Sequence, residues 1–183
     1  MDFAELTASR RTVHSYKTDK VADSLVEKAL QLSLWAPNHK QTFPWAYFWV
    51  GAEVRTKLAE LALALKEAKE PQSEMKKKAI RESVVNPSHL ILLATRRGDP
   101  TRAHEDFATL ACSVQIASLF LWEAGVGTKW TTSGWTNQAK VYEILGISPD
   151  EFVLEGGLMV GAPLAKPPLP KRPPLEKFLR RTE

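Results

Sequence analysis

The spacing of apolar and polar side chains along the chain predicts several helices. Leucines recur at helical spacing among lysines and glutamates over residues 53–69, which is typical of an amphipathic helix. Ser24 and Glu27 have the spacing of a capping box, so another helix is expected over residues 23–34. The same periodicity predicts a long helix over residues 103–124. Short helices are expected over residues 3–9 and 137–145, and a polar, lysine-rich helix is expected near residues 73–83, before Asn86-Pro87.

Uninterrupted apolar runs predict the strands. Residues 45–50 read W-A-Y-F-W-V, a pattern that suits a strand buried on both faces, and residues 89–95 contain a second such run. Residues 129–132 and 158–160 predict a third strand and part of a fourth. We therefore expect one α+β domain over residues 1–183, with a mixed, mostly antiparallel central sheet flanked by helices.

The helix expected over residues 103–124 is apolar nearly all round. One stripe at helical spacing consists of Phe107, Leu110, Ala111, Val114, Ala117 and Leu121, and a second apolar surface consists of Ile116, Leu119 and Phe120. Such a helix must be covered on all sides. Either a partner subunit or the domain's own core can provide the second cover. Cys112 lies in this helix and is expected to be buried as a small hydrophobic residue.

The C-terminal part of the chain is rich in proline and in positive charge. Residues 163–174 contain six prolines, so this segment is expected to stay extended along a surface, its own or a partner's. Residues 164–183 hold six lysines and arginines against two glutamates, which accounts for the net charge of +4 of the whole chain. Because the remainder is neutral, we expect no nucleic-acid partner.

The sequence lacks the patterns typical of a signal peptide, a membrane-spanning helix or a disulfide. Asp2 and Glu5 interrupt any signal-peptide pattern, and the longest apolar stretch, residues 110–122, is too short to cross a membrane. The single cysteine excludes an intrachain disulfide. A cytoplasmic protein with no membrane partner is expected.

Known catalytic motifs are missing from the chain. We find no glycine-rich phosphate loop, no H-E-x-x-H and no G-x-S-x-G, and the four histidines lack the spacing of a metal site. We therefore expect no metal. A protein without its own acid–base groups can still be an enzyme when a cofactor carries the reaction.

Three short clusters stand out as candidate binding segments. Ser9–Val13 contains Arg10 and Arg11, whose guanidinium groups suit phosphate oxygens, although two solvated arginines would explain the same pattern. Trp35–Trp45 combines aromatic residues with hydrogen-bonding side chains and suits a planar ligand, although a turn with a tryptophan in the core is the alternative. Gly127–Trp135 is rich in small and hydroxyl residues that let a ligand approach the backbone, although a plain strand and turn fits as well.

Taken in order, these clusters resemble the nitroreductase family, in particular its short bacterial members. The resemblance rests on S-R-R-T from Ser9, A-P-N-H-K-Q from Ala36 with P-W downstream, A-G-V-G from Ala124 and W-T-T-S-G from Trp130. It continues through the late G-A-P and the proline-rich tail, so it covers nearly the whole chain.

The resemblance implies a nitroreductase-like fold and an obligate homodimer with two FMN molecules at the subunit interface. The long helices of the two subunits would pack together, and residues 163–183 would wrap around the partner. His39 would reach the FMN of the opposite subunit. The implied cofactor-binding residues are Arg10, Arg11, Thr12, Lys171 and Arg172 for the phosphate, and Trp35, Asn38, His39, Gln41, Thr131, Thr132, Ser133 and Gly134 around the ring.

The function implied by this resemblance is an NAD(P)H oxidoreductase. FMN would receive hydride at N5 from NADH or NADPH and pass electrons to nitroaromatics, quinones or similar electron-poor small molecules in a ping-pong reaction, with no catalytic protein side chain. One alternative is other flavin chemistry on the same fold, such as dehalogenation or flavin cleavage. The second is an FMN-binding protein without reductase activity, its active face blocked by Trp35, which stands where relatives often carry a basic residue.

Overall fold

The computed structural model describes residues 1–182. The expected elements are all present, and their ends lie close to the predicted positions. The helices in this part of the chain are α1 (Phe3–Ser9), α2 (Asp23–Ser33), α3 (Ala52–Glu67), α4 (Glu74–Val85), α5 (Ala103–Glu123) and α6 (Ala139–Leu145). The strands are β1 (Trp45–Trp49), β2 (His89–Arg96), β3 (Gly127–Thr131) and β4 (Phe152–Gly161), and short 3-10 turns occupy His39–Gln41, Pro100–Arg102 and Leu175–Lys177.

The four strands form one sheet in the order β1-β2-β4-β3, and each neighbouring pair is antiparallel. A parallel contribution comes from the isolated bridge between Thr12 and Thr128. The register between β2 and β4 shifts because Leu93 faces Gly156 while Ala94 faces Leu154. Glu155 is therefore the extra residue of a β-bulge.

The sheet separates two hydrophobic cores. On one face, side chains of β2 and β4 pack with residues of α3, α4 and α6, including Leu58 and Val141. On the other face, the alternate side chains pack with α2 and α5, including Val26 and Leu110. Except for Arg96, β2 is buried along its whole length, as its apolar run predicts.

The expectation that β1 is buried on both faces is wrong. Its first four residues are only half-buried and Trp49 is 41% exposed, because β1 lies at the edge of the sheet. The aromatic run thus belongs to a strand that has one neighbour instead of two. An apolar run by itself does not distinguish these positions.

Two further expectations are corrected. No capping box starts α2: the helix begins at Asp23 after Ala22, which makes no side-chain cap, and the Asp23 carboxylate instead contacts His89 and Lys20. Cys112 is exposed on the open side of α5 and is not a core residue.

The hydrophobic core of the chain itself covers only one side of α5. Leu110, Val114 and Leu121 are buried against α2 and the sheet, whereas Phe107 is 39% exposed. Ala108 and Gln115 are also exposed. The helix therefore presents an uncovered face that includes apolar side chains.

The segments around residues 12–17 and 162–164 are joined to each other and to the sheet. Val13 N–H donates to the Thr128 carbonyl at 3.0 Å, and Lys17 N–H donates to the Ala162 carbonyl at 2.8 Å. From Ala165 to Thr182 every residue except the half-buried Pro167 is exposed, and a short 3-10 turn is the helical part of this segment. None of the helices in residues 1–182 combines the length and apolarity that a membrane crossing requires.

Candidate functional site

Arginines from two distant parts of the sequence lie near one another beside the end of α1. Arg10 follows the last residue of α1, Arg11 is next to it, and Arg172 comes from the tail. Burial, together with the positive charges of Arg11 and Arg172, holds the pKa of Arg10 below its ordinary value. We call Arg10, Arg11 and Arg172 the basic cluster. Arg10 and Arg11 are half-buried, so they do not fit the alternative of two solvated arginines.

Among residues 1–182, no carboxylate forms a salt bridge with the basic cluster. The Nε atoms of Arg10 and Arg11 are buried and have no hydrogen-bond partner in the described part of the chain. Like charges in close proximity repel each other, and a buried donor without an acceptor costs free energy. A phosphate group would correct both deficits, because its oxygens accept hydrogen bonds from guanidinium groups in pairs. Thr12 and Lys171 lie beside the cluster and are exposed.

Contacts to α5 and β3 hold this part of the chain in place. Trp122 Nε1, in the last turn of α5, donates to Ser9 Oγ at 3.1 Å. Val13 packs so closely on Gly127 that a Cβ on that glycine would lie 2.5 Å from the Val13 side chain. The basic cluster therefore lies at the start of β3 and at the C-terminal end of α5.

The opposite end of β3 carries residues 131–134, the part of the third predicted cluster that is expected to border the cofactor ring. Thr131 is buried and its Oγ1 is 3.1 Å from Ser133 Oγ, whereas Thr132, Ser133 and Gly134 are exposed. This 131–134 segment begins three residues along the strand from Thr128, about 10 Å at the usual rise. An elongated ligand with its phosphate at the basic cluster would run along β3 toward these exposed residues.

Residues 38–43, which we call the His39 loop, contact the other end of α5. His39 Nδ1 is 3.0 Å from Glu105 Oε2, and Thr42 Oγ1 donates to Asp106 Oδ1 at 2.7 Å. Glu105 and Asp106 belong to the first turn of α5, whereas Ser9 contacts its last turn. Sixteen residues of helix correspond to about 24 Å. The His39 loop and the basic cluster of one chain are therefore too far apart to contact one small ligand together.

The loop contains two side-chain amides, those of Asn38 and Gln41, and their surroundings differ. Asn38 Oδ1 accepts from Phe43 N–H at 2.8 Å, and Asn38 Nδ2 donates to Thr42 Oγ1 at 2.9 Å. The side chain of Asn38 is thus used inside the loop at both ends. Gln41 is exposed.

Aromatic residues lie within the His39 loop and on both sides of it in the sequence. Trp35 is 83% exposed and Phe43 is 59% exposed, so the alternative of a core tryptophan fails for Trp35. Trp45 packs against the core and meets the ring of Phe43 edge-on with the centroids 6.3 Å apart. The exposed rings offer a surface on which a planar ligand can stack.

Sequence reasoning did not single out Thr42, Glu105 or Asp106. Two acidic residues at the start of a helix are common for the helix dipole alone, so no local signal pointed to a contact with the loop. Among residues 1–182, no group of three or more His, Cys, Asp or Glu side chains is arranged to hold a metal ion.

Comparison with known proteins identifies the family of this chain. The model of the nitroreductase family matches residues 7–162, most of the chain. The protein belongs to the nitroreductase family. A provisionally named NAD(P)H nitroreductase, YfhC of Bacillus subtilis (strain 168), is 24% identical over 174 residues, which cover 93% of this chain and 89% of YfhC.

Solved structures of nitroreductases have the same fold. A nitroreductase-like family protein from Bacillus cereus superposes with a TM-score of 0.87 at 23% identity and covers 100% of this chain and 97% of its own. A mutant of NfnB from sphigopyxis sp. strain HMH, described as an FMN and NADPH-dependent nitroreductase, superposes with a TM-score of 0.81 at 18% identity over 100% of both chains. At these identities the likeness establishes the fold, and the expected nitroreductase-like α+β fold is confirmed.

Proposed function

We propose that this nitroreductase family member binds FMN and acts as an NAD(P)H-dependent oxidoreductase on small electron-poor molecules. The observation that carries the proposal is the basic cluster, in which the buried Nε atoms of Arg10 and Arg11 find no acceptor within residues 1–182. The FMN phosphate has the charge and the oxygen atoms that these groups require. The name of YfhC and the description of NfnB support FMN and a nicotinamide nucleotide as the cofactors.

The chain's residues would bind FMN along β3. Arg10, Arg11 and Arg172 would hold the phosphate, with Thr12 and Lys171 beside them. The exposed part of the 131–134 segment, at the far end of β3, would lie along the isoalloxazine ring. Bound FMN supplies the redox chemistry, accepting a hydride from NADH or NADPH and returning electrons to the second substrate. The protein contributes binding, stacking and exclusion of water, so no side chain is assigned as a catalytic residue.

We also propose that two chains form a homodimer and share each site. The exposed face of α5, with Phe107 at its edge, offers the surface for a second copy. Because the His39 loop and the basic cluster lie at opposite ends of α5, an antiparallel pair of these helices would bring one chain's loop to the other chain's cluster. Trp35, Asn38, His39 and Gln41 would then border the partner's FMN. The whole chain would form a single domain, with the tail from residue 163 reaching across the partner.

The class of second substrate follows from the aromatic surroundings. Exposed Trp35 and Phe43 would stack on a planar, electron-poor ring such as a nitroaromatic or a quinone. Since the proposed reductant is NADH or NADPH, we propose that the protein works in the cytoplasm.

The first experiment is reconstitution of the purified protein with FMN, followed by anaerobic mixing with NADH and with NADPH. We expect about one FMN per chain and loss of the oxidised flavin absorbance with at least one nucleotide. Protein that takes up no FMN would refute the proposal. FMN that binds and is not reduced would instead support a binding protein blocked by Trp35, and Trp35→Ala should then restore reduction. Sedimentation of the same samples should give a dimer.

A further inference from the structure

The His39 loop has an unfavourable backbone. Lys40, Gln41 and Phe43 have φ angles of 58°, 53° and 47°, in the left-handed region that residues with a Cβ seldom occupy. Three such residues within four positions would relax to other conformations unless the surroundings opposed it. The surroundings must therefore supply specific contacts that hold this loop.

A chain of hydrogen bonds from α5 supplies them. Asp106 of the first turn is only 7% exposed, and its Oδ1 accepts from Thr42 Oγ1 at 2.7 Å. Thr42 Oγ1 accepts in turn from Asn38 Nδ2 at 2.9 Å, and Asn38 Oδ1 accepts from Phe43 N–H at 2.8 Å. The chain thus closes the loop by linking its first residue to its last, and it ties both to the helix.

The chemistry of the groups determines the direction of every bond in this chain. An ionised carboxylate can only accept, so the single Thr42 hydroxyl proton points to Asp106 and leaves the oxygen lone pairs for Asn38. Asn38 must then offer its NH₂ group to Thr42, which leaves its carbonyl oxygen for the Phe43 amide. One buried carboxylate therefore sets the orientation of the Asn38 side chain two hydrogen bonds away.

A second contact reaches the loop from the same turn of α5. His39 Nδ1 and Glu105 Oε2 are 3.0 Å apart, with exposed side-chain fractions of 62% and 48%. Water competes with an exposed pair, whereas the Thr42–Asp106 bond is shielded from it. Asp106 is therefore the stronger anchor of the two.

We propose that Asp106 is a positioning residue which, through Thr42 and Asn38, holds the His39 loop in its strained conformation and so presents His39 and Gln41 to a ligand. This inference rests on the proposed function for the identity of that ligand, the FMN of the partner subunit. The tether itself is a property of the chain alone. Its effect on the loop can be measured without FMN.

Limited digestion of the full-length protein by trypsin tests the tether, because Lys40 is exposed within the loop. Thr42→Val has nearly the same shape as threonine but cannot donate to Asp106, whereas Thr42→Ser keeps the hydroxyl. We expect cleavage after Lys40 to accelerate roughly tenfold or more in Thr42→Val and in Asp106→Ala, and to stay near wild type in Thr42→Ser. Cleavage after Lys177 in the exposed tail is the internal control. Equal cleavage after Lys40 in the valine and serine variants would overturn the tether.

Flavin reduction tests the positioning role. On FMN-loaded protein, we expect NADPH to reduce the flavin about tenfold or more slowly in Thr42→Val and at close to the wild-type rate in Thr42→Ser. A loosened loop with an unchanged rate of reduction would overturn the positioning role. If Asp106→Ala does not fold, Thr42→Val still decides the question. Failure of the wild-type protein to bind FMN would refute the proposed function, and the digestion result would still report on the tether.

Discussion

A side chain at Gly156 of β4 would collide with the carbonyl group of Thr131 at the end of β3. The φ angle of Gly156 is 124°, a conformation that favours glycine, and an added Cβ would also lie 2.9 Å from Trp130 Nε1. This close approach lies next to the bulge at Glu155, where the register between β2 and β4 shifts. The backbone at Gly156 therefore helps to position the 131–134 segment.

We predict that Gly156→Ala lowers the free energy of unfolding by about 1–3 kcal/mol, because the new methyl group meets backbone and the φ angle becomes strained. FMN affinity should fall with it, since Thr131 must move. Urea denaturation and fluorescence titration with FMN measure the two effects. Gly98→Ala is the matched control, because a Cβ at Gly98 has nothing within 4 Å. Similar stabilities for the two variants would contradict the prediction.

Arg10→Gln should have opposite effects on binding and on the stability of the FMN-free protein. We expect FMN affinity to fall about ten- to a hundredfold, since a charge-assisted hydrogen bond to phosphate is lost. Without FMN, the free energy of unfolding should stay the same or rise, because Arg11 and Arg172 no longer face a third positive charge.

Titrations at low and high salt and thermal unfolding of the FMN-free protein measure these effects. Arg180→Gln makes the same charge change at an exposed position and should leave both quantities unchanged. An Arg10→Gln protein that is destabilised yet binds FMN normally would mean that the arginine is structural.

The pH dependence of stability should contain a contribution from Glu155. Burial raises its pKa above the ordinary value of 4.5, opposed by the hydrogen bond from Thr95 Oγ1 at 3.2 Å. Between these two pKa values the folded chain holds a proton that the unfolded chain has released. Stability therefore falls as the pH rises from about 4.5 through the raised pKa.

Glu155→Gln removes this titration. Relative to wild type, the glutamine variant should gain stability as the pH rises through this window, and it should show no gain below the window. Urea denaturation over a series of pH values checks the sign, with the exposed Glu151→Gln as control. A glutamine variant that loses stability relative to wild type with rising pH would contradict the assignment.

Arg55→Lys should destabilise the fold without touching the proposed site. The Arg55 guanidinium donates to the carbonyls of Ser88 at 3.1 Å, of Val85 at 2.6 Å and of Pro87. Arg55 belongs to α3, so these bonds supply donors from α3 to the carbonyls at and after the C-terminal end of α4. An ammonium group cannot fork to several carbonyls in this way. We expect a loss of about 1–3 kcal/mol in the free energy of unfolding and unchanged FMN affinity. Arg102→Lys, with a longer ion pair of 3.7 Å, should change little.

Local patterns predicted the elements well because each pattern is written within a few residues of sequence. The apolar run of β2 and the leucine spacing of α3 correspond to a buried strand and a half-buried helix. The errors arose where the outcome depends on a neighbour. β1 has the composition of a central strand but lies at an edge, and Asp23 contacts His89 from another element.

The amino-acid sequence was enough to predict the family resemblance, the helices and strands, and the three segments that could contact a ligand. The tertiary structure decided how those segments relate: it gathered Arg172 with Arg10 and Arg11, placed the His39 loop at the far end of α5, and joined Thr42 to Asp106. The difference arises because the two kinds of information depend on interactions over different separations along the chain. Side-chain periodicity reflects neighbours along the chain, whereas the approach of Thr42 to a helix that begins some sixty residues later depends on how the whole sheet is packed.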